Sequence, residues 1–233
     1  MIMKRTNFDF TRILKSIFGV SVAGLGIGML KRASFGVDPF QIFMVGMDSL
    51  IPLSFGTVYL ITGLSLVTLS LIFDRRLIGI GTVYTFLCQG YIIDASVKIC
   101  TLVFPAPAFI TRVLLFIIGF TLLCLATAVY FNADQGVSAY DAISIMMTGR
   151  LGFKKFRYNR VLTDVICLIS GCLIYLFSGG TLLEITSFTG IGTILIAIFM
   201  GPAVDVFRNL INDSSKCIPH VQRSSTTELI KPL

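Results

Sequence analysis

Two pairs of polar residues stand at matching places in otherwise apolar sequence: Asp38 with Gln41, and Ser138 with Asp141. Each pair has the spacing of a helix start. Asp38 reads as an N-cap with Pro39 at the first helical position and Gln41 three residues after the cap, and Ser138 with Asp141 forms the counterpart. A helix that begins within the membrane region also offers unpaired N–H groups and a partial positive charge, so the same four residues could face a small solute. Capping and solute binding are compatible. A second pair of acids, Asp94 and Asp205, follows two copies of one glycine motif at identical spacing. A carboxylate at bilayer depth is costly unless it is paired, protonated or facing water, which makes both candidates for coupling a proton or cation; helix-end positions in the headgroup zone are the structural alternative. Asp164 follows a basic run, and pairing with Arg157 or Arg160 is expected.

The elements that must hold these residues recur. Gly79-Ile80-Gly81-Thr82, with Gly90 and Asp94 behind it, returns as Gly190-Ile191-Gly192-Thr193 with Gly201 and Asp205. Upstream, the stretch from Ala33 to Gln41 lines up with that from Ala133 to Asp141, placing Gly36 opposite Gly136 and Phe40 opposite Tyr140. The glycines permit a sharp turn there. In the Gly-Ile-Gly-Thr copies, close helix approach is the favoured role, with Thr82 and Thr193 capping or bonding a neighbour. No strand precedes them, so they are not a dinucleotide fingerprint.

Hydrophobic residues make up 55% of the chain, charged residues 13%, and mean hydropathy is +0.89, which excludes an ordinary soluble domain. Six apolar runs at about 13–30, 56–73, 77–97, 113–131, 161–177 and 190–207 are long enough to cross a bilayer as helices. The basic start of the chain resembles a leader, but five further spans follow and no small-residue cleavage site is obvious. With the N-terminus cytoplasmic, only Lys31, Arg32, Lys98 and Arg112 of the 19 cations fall outside, so both termini are expected in the cytoplasm. Three spans per copy place the second copy upside down. The expected fold is therefore an all-α integral membrane protein of six transmembrane helices in two inverted three-helix repeats. Its parts are a cytoplasmic segment 1–12, repeats 13–104 and 105–208, and a flexible cytoplasmic tail 209–233. The segments 36–51 and 136–151 are too short to cross and too apolar for solvent loops, so each is expected as a short re-entrant or interfacial helix.

Other chemistry is thinly represented. Cys88, Cys100, Cys124, Cys167 and Cys172 lack metal-ligand spacing and read as packing residues, while Cys217 and the lone His220 belong to the polar tail. No nucleophilic set or phosphate loop can be assembled, so neither an enzyme nor a cofactor or metal is expected. The +7 charge sits in short clusters between apolar runs, which points to membrane orientation rather than nucleic acid. The aromatic and basic stretch 150–160 could lie on the anionic leaflet, although topology alone accounts for it.

The run from Ala33 to Gln41, then Leu53-Ser54-Phe55-Gly56-Thr57 and Gly79-Ile80-Gly81-Thr82, resembles the YczE/YitT-like group of bacterial integral membrane proteins over about residues 15–208. The resemblance implies a multi-span protein of the bacterial inner membrane. Within that group the first motif commonly ends Pro-Trp-Asp; here the acidic position is matched by Asp141, and Gln41 replaces it in the first copy. Two functions are in view. One is a small-solute secondary transporter or exporter, with Asp38, Gln41, Ser138 and Asp141 facing the solute and Asp94 or Asp205 coupling a proton or cation. The alternative is a membrane-embedded accessory or scaffold protein that supports another complex, bound through its helix faces or the 150–160 stretch.

Overall fold

A computed structural model describes residues 10–73, 78–133, 135, 136, 138, 140, 142, 143 and 156–213. Among these, every regular element is a helix: α1 (Phe10–Ala33), α2 (Pro39–Leu50), α3 (Phe55–Phe73), α4 (Ile80–Val103), α5 (Phe109–Ala133), α6 (Phe156–Phe177), α7 (Leu182–Phe188) and α8 (Ile191–Asp213). Five stretches are long and apolar enough to cross a membrane, in α1, α3, α4, α5 and the Leu182–Ile211 run of α7 and α8. The sixth expected span, 161–177, is a shorter apolar helix, the part of α6 that follows its charged first turn. Several helices outrun the apolar runs that foretold them. Polar residues in the end turns continue the backbone ladder, so α4 ends at Val103 rather than near 97 and α8 reaches Asp213.

Glycine decides how α1 sits. It lies between α4 and α5, and different glycines face each neighbour. A Cβ on Gly19 would lie 2.9 Å from the Ala126 carbonyl oxygen and one on Gly26 2.8 Å from that of Gly119, so α1 and α5 cross antiparallel with their backbones almost touching. Gly24 meets Ile92 and Gly28 meets Ser96 on the other side, with Ser16 beside Gly81, so α1 and α4 run parallel. Small residues permit this approach where lipid supplies no hydrophobic drive between helices. α3 returns antiparallel to α4, pairing Gly63 with Phe86 and Gly56 with Tyr91. α5 and α8 run parallel, from Phe116 beside Gly192 to Cys124 and Ala128 beside Val204.

Two of the four cations that the sequence reading sets apart from the rest, Arg32 and Arg112, finish helices. Arg112 donates from Nε to the Ala33 carbonyl at 2.7 Å and from Nη2 to that of Ser34 at 2.8 Å, and Arg32 donates from Nε to the Phe104 carbonyl at 2.9 Å. Each thereby satisfies carbonyls that a helix C-terminus leaves open.

The short helix at 36–51 exists as expected. Asp38 caps α2, its Oδ1 accepting from the Gln41 N–H at 3.2 Å, with Pro39 at the first position. Its other side packs on α6, where Gly46 and Gly171 meet and the Ser178 hydroxyl donates to that of Ser49 at 2.8 Å. In the second copy the Ala142 N–H donates to the Ser138 carbonyl at 2.9 Å; Asp141 and 144–155 lie outside the described residues, as does the tail beyond 213. One helix has no counterpart among the sequence expectations. α7 starts with a reciprocal cap between Thr181 and Glu184, the Ser/Thr-x-x-Glu pattern.

Candidate functional site

The two motif copies exchange partners. The Gly81 N–H donates to the Gln135 carbonyl at 2.9 Å, and the Gly192 N–H donates to the Phe35 carbonyl at 2.8 Å. The turn of each copy thus rests on the Gly-Ile-Gly-Thr start of the other. Gly36 (φ +123°) and Gly136 (φ +97°) occupy backbone conformations that side chains rarely adopt, and a Cβ on either would lie 2.5 Å from the hydroxyl of Thr193 or Thr82 respectively. Both threonines are buried. Thr82 Oγ1 accepts from the Gly79 N–H at 3.2 Å, closing the first turn of α4, and Thr193 donates to the Phe188 carbonyl at 3.4 Å.

From these turns the motif aromatics meet. Phe40 and Tyr140 stack with ring centroids 4.8 Å apart, and Tyr59 of α3 stands edge-on to Phe40 at 5.8 Å. The Tyr140 hydroxyl donates to Asp164 Oδ1 on α6. The expected pairing of Asp164 with Arg157 or Arg160 falls on arginine side chains that lie outside the described residues.

Beside the stack lie polar groups that an apolar core does not need. Gln41 is 1% exposed, and its Oε1 has no hydrogen-bond partner among the described residues. The Tyr59 hydroxyl, which also interacts with Gln41, donates to Gln89 Oε1 at 3.2 Å, and all three residues are buried. An unsatisfied buried carboxamide costs stability, so its retention calls for a reason. Tyr59 and Gln89 are absent from the sequence-derived site. Neither has an echo in the other half, and only the antiparallel pairing of α3 with α4 brings them to Gln41.

The acids separate. Asp94 is half-buried in α4, well short of its end, and accepts from the Gly56 N–H at the start of α3 at 3.0 Å. Asp205 is 69% exposed on α8 and lies 4.0 Å from Arg208. Equal spacing therefore yields unequal surroundings: α3 covers α4 around Gly90, where a Cβ would meet Tyr59, whereas a Cβ on Gly201 would meet nothing within 4 Å. Asp38 caps α2 and Gln41 lies in its first turn, Ser138 belongs to the second turn, and Asp205 lies on α8. Near Asp94 lies another group absent from the sequence-derived site. The Lys31 ammonium sits 3.2 Å from the Phe55 ring centroid, and Asp48, Asp94 and Asp38 all act on it. The five described cysteines are free thiols.

Helices of this length and polarity, packed on glycine and holding polar groups in their interior, define an α-helical membrane protein. The chain belongs to DUF6198, a family of unknown function, whose pattern it matches over residues 10–209. It is 23% identical over 205 residues to an uncharacterized protein of Haemophilus influenzae, covering 88% of this chain and 85% of that one. It is 24% identical over 194 residues to the uncharacterized protein YyaS of Bacillus subtilis, covering 83% and 90%. No solved structure matches it.

Proposed function

We propose that this protein is a small-solute secondary transporter or exporter of the bacterial inner membrane, with both termini cytoplasmic and six spans arranged as two inverted repeats. The observation that carries this reading is the meeting of equivalent motif residues, Phe40 on Tyr140, beside the buried polar group Gln41, Tyr59 and Gln89. The antiparallel crossing of α1 and α5 and the exchanged bonds at Gly81 and Gly192 support the inverted arrangement. Transporters of that build hold solute near the midplane, where interrupted helices of the two halves converge.

In this reading Asp38, Gln41, Ser138 and Asp141 face the solute. Asp94 is the better placed of the two coupling candidates, since it is held between α4 and the start of α3 by the Gly56 N–H while Asp205 is exposed. The Phe40–Tyr140 stack stands between Tyr59, edge-on to Phe40, and Asp164, which the Tyr140 hydroxyl holds. The test is a melting panel of ions, amino acids, organic acids and amines on purified protein, followed by flux of any hit in proteoliposomes. A ligand at about 100 times its dissociation constant adds about 2.7 kcal/mol to stability. A saturable shift lost in Asp141→Asn and in Gln41→Leu supports the reading; a broad panel without any shift, on folded protein, counts against it.

A further inference from the structure

The starts of α4 and α8 are twins in backbone and opposites in side chains. A Cβ on Gly81 would lie 2.4 Å from the Ser16 hydroxyl, and one on Gly192 2.6 Å from the Phe116 ring. A Cβ on Gly19 would lie 3.1 Å from Tyr130, and one on Gly119 3.3 Å from Leu30. These contacts correspond, because the register that pairs Ala33 with Ala133 also pairs Ser16 with Phe116 and Leu30 with Tyr130. Thr85, one turn into α4, corresponds to Ile196 in the register that pairs Gly81 with Gly192. One copy is thus built with Phe116, Leu30 and Ile196 where the other has Ser16, Tyr130 and Thr85.

The apolar copy makes the same turn without hydroxyls, so the fold does not require them. Thr85 is committed locally, donating to the Gly81 carbonyl at 2.8 Å. Ser16 and Tyr130 are not. They are 1% and 6% exposed, and neither hydroxyl has a hydrogen-bond partner among the described residues; Thr82 and Thr85 act on the Tyr130 hydroxyl short of bonding geometry. Both side chains converge on Gly81, where the same Cβ position is 3.0 Å from the Tyr130 ring. Buried polar groups left empty are costly, which calls for an occupant.

The surroundings define that occupant. Two O–H donors meet at the first turn of a 24-residue helix, whose start carries roughly half a positive elementary charge. The Gln135 carbonyl takes the Gly81 N–H, so direct contact falls to the hydroxyls. A cation would face the positive end of α4, whereas an anion is drawn to it and accepts from both hydroxyls. Both oxygens are closed to solvent, which restricts the guest to about a single atom.

We infer that the Ser16 and Tyr130 hydroxyls, at the start of α4, bind a halide ion. This site shares no residue with the Gln41, Tyr59 and Gln89 group and does not depend on the transporter reading.

The test is a melt of purified full-length protein in detergent, freed of halide, against sodium fluoride and sodium chloride, with sodium gluconate holding the ionic strength constant. Sodium is then the same throughout, and gluconate is too large for the site. Wild type should show a saturable rise with one halide or both. Ser16→Ala and Tyr130→Phe should each abolish that rise or move its midpoint at least tenfold higher, and Gln41→Leu should keep it. No saturable rise with either halide overturns the inference, as does a rise that both hydroxyl variants retain unchanged. A rise lost in Gln41→Leu and kept in Tyr130→Phe places the ion in the other polar group and overturns this assignment while favouring that site. If one hydroxyl variant does not fold, the other decides by the same comparison.

Discussion

Phe40 and Tyr140 stack with planes 20° from parallel, although they lie in opposite halves of the chain and occupy equivalent positions in its two motif copies. The Tyr140 hydroxyl anchors the stack on Asp164. Tyr140→Phe keeps the ring and removes the donor. It should cost about 1 kcal/mol, the net worth of one hydrogen bond to a half-buried acceptor, read as a lower melting temperature. A loss below about 0.5 kcal/mol would mean that water replaces the hydroxyl without penalty.

Gln41 offers a sharper separation of stability from function. Gln41→Leu removes a buried oxygen without a partner among the described residues, together with the contact to the Tyr59 hydroxyl, so the two effects oppose and the melting temperature should move by less than the equivalent of about 1 kcal/mol. Any solute-induced shift should vanish. A destabilised variant would show instead that the carboxamide is held by bonds that matter to the fold.

Asp94 and Asp205 should behave differently despite their equal spacing. Asp94→Asn weakens a charge-assisted bond from the Gly56 N–H and leaves Lys31 with one carboxylate fewer, a loss of about 1–2 kcal/mol. Asp205→Asn removes only an exposed partner of Arg208 and should change stability by less than about 0.5 kcal/mol. Parallel thermal melts of the two variants decide it; equal effects would contradict the packing difference at Gly90 and Gly201.

The glycines themselves give a matched pair. Gly26→Val drives a branched side chain against the Gly119 carbonyl and should cost about 1–3 kcal/mol through overpacking. Gly201→Ala meets open space and should gain up to about 1 kcal/mol from helix propensity. Yield and melting temperature in detergent check both.

What the sequence disclosed was local. Asp38, Pro39 and Gln41 mark the start of α2 because a cap is written within four residues, and the apolar runs mark the long helices because lipid leaves a backbone no other choice. The Thr181–Glu184 cap is equally local, yet apolar neighbours on both sides hide it within a longer hydrophobic stretch. Lys31, Asp48, Tyr59 and Gln89 were not legible as a site, since they come from four different helices and none of them has a repeat partner to draw notice. Asp205 illustrates the converse. Its spacing copies that of Asp94, but spacing fixes a position along a helix and says nothing of what covers it.

The crossed turns have a consequence for how the chain is made. Gly81, at the start of α4, cannot complete its bonding until Gln135 has been synthesised, whereas Gly192 finds the Phe35 carbonyl long since in place. During synthesis the leading half therefore waits, one helix start unfinished, for the trailing half to close it. Two such halves expressed as separate chains would have to find each other before either could finish folding.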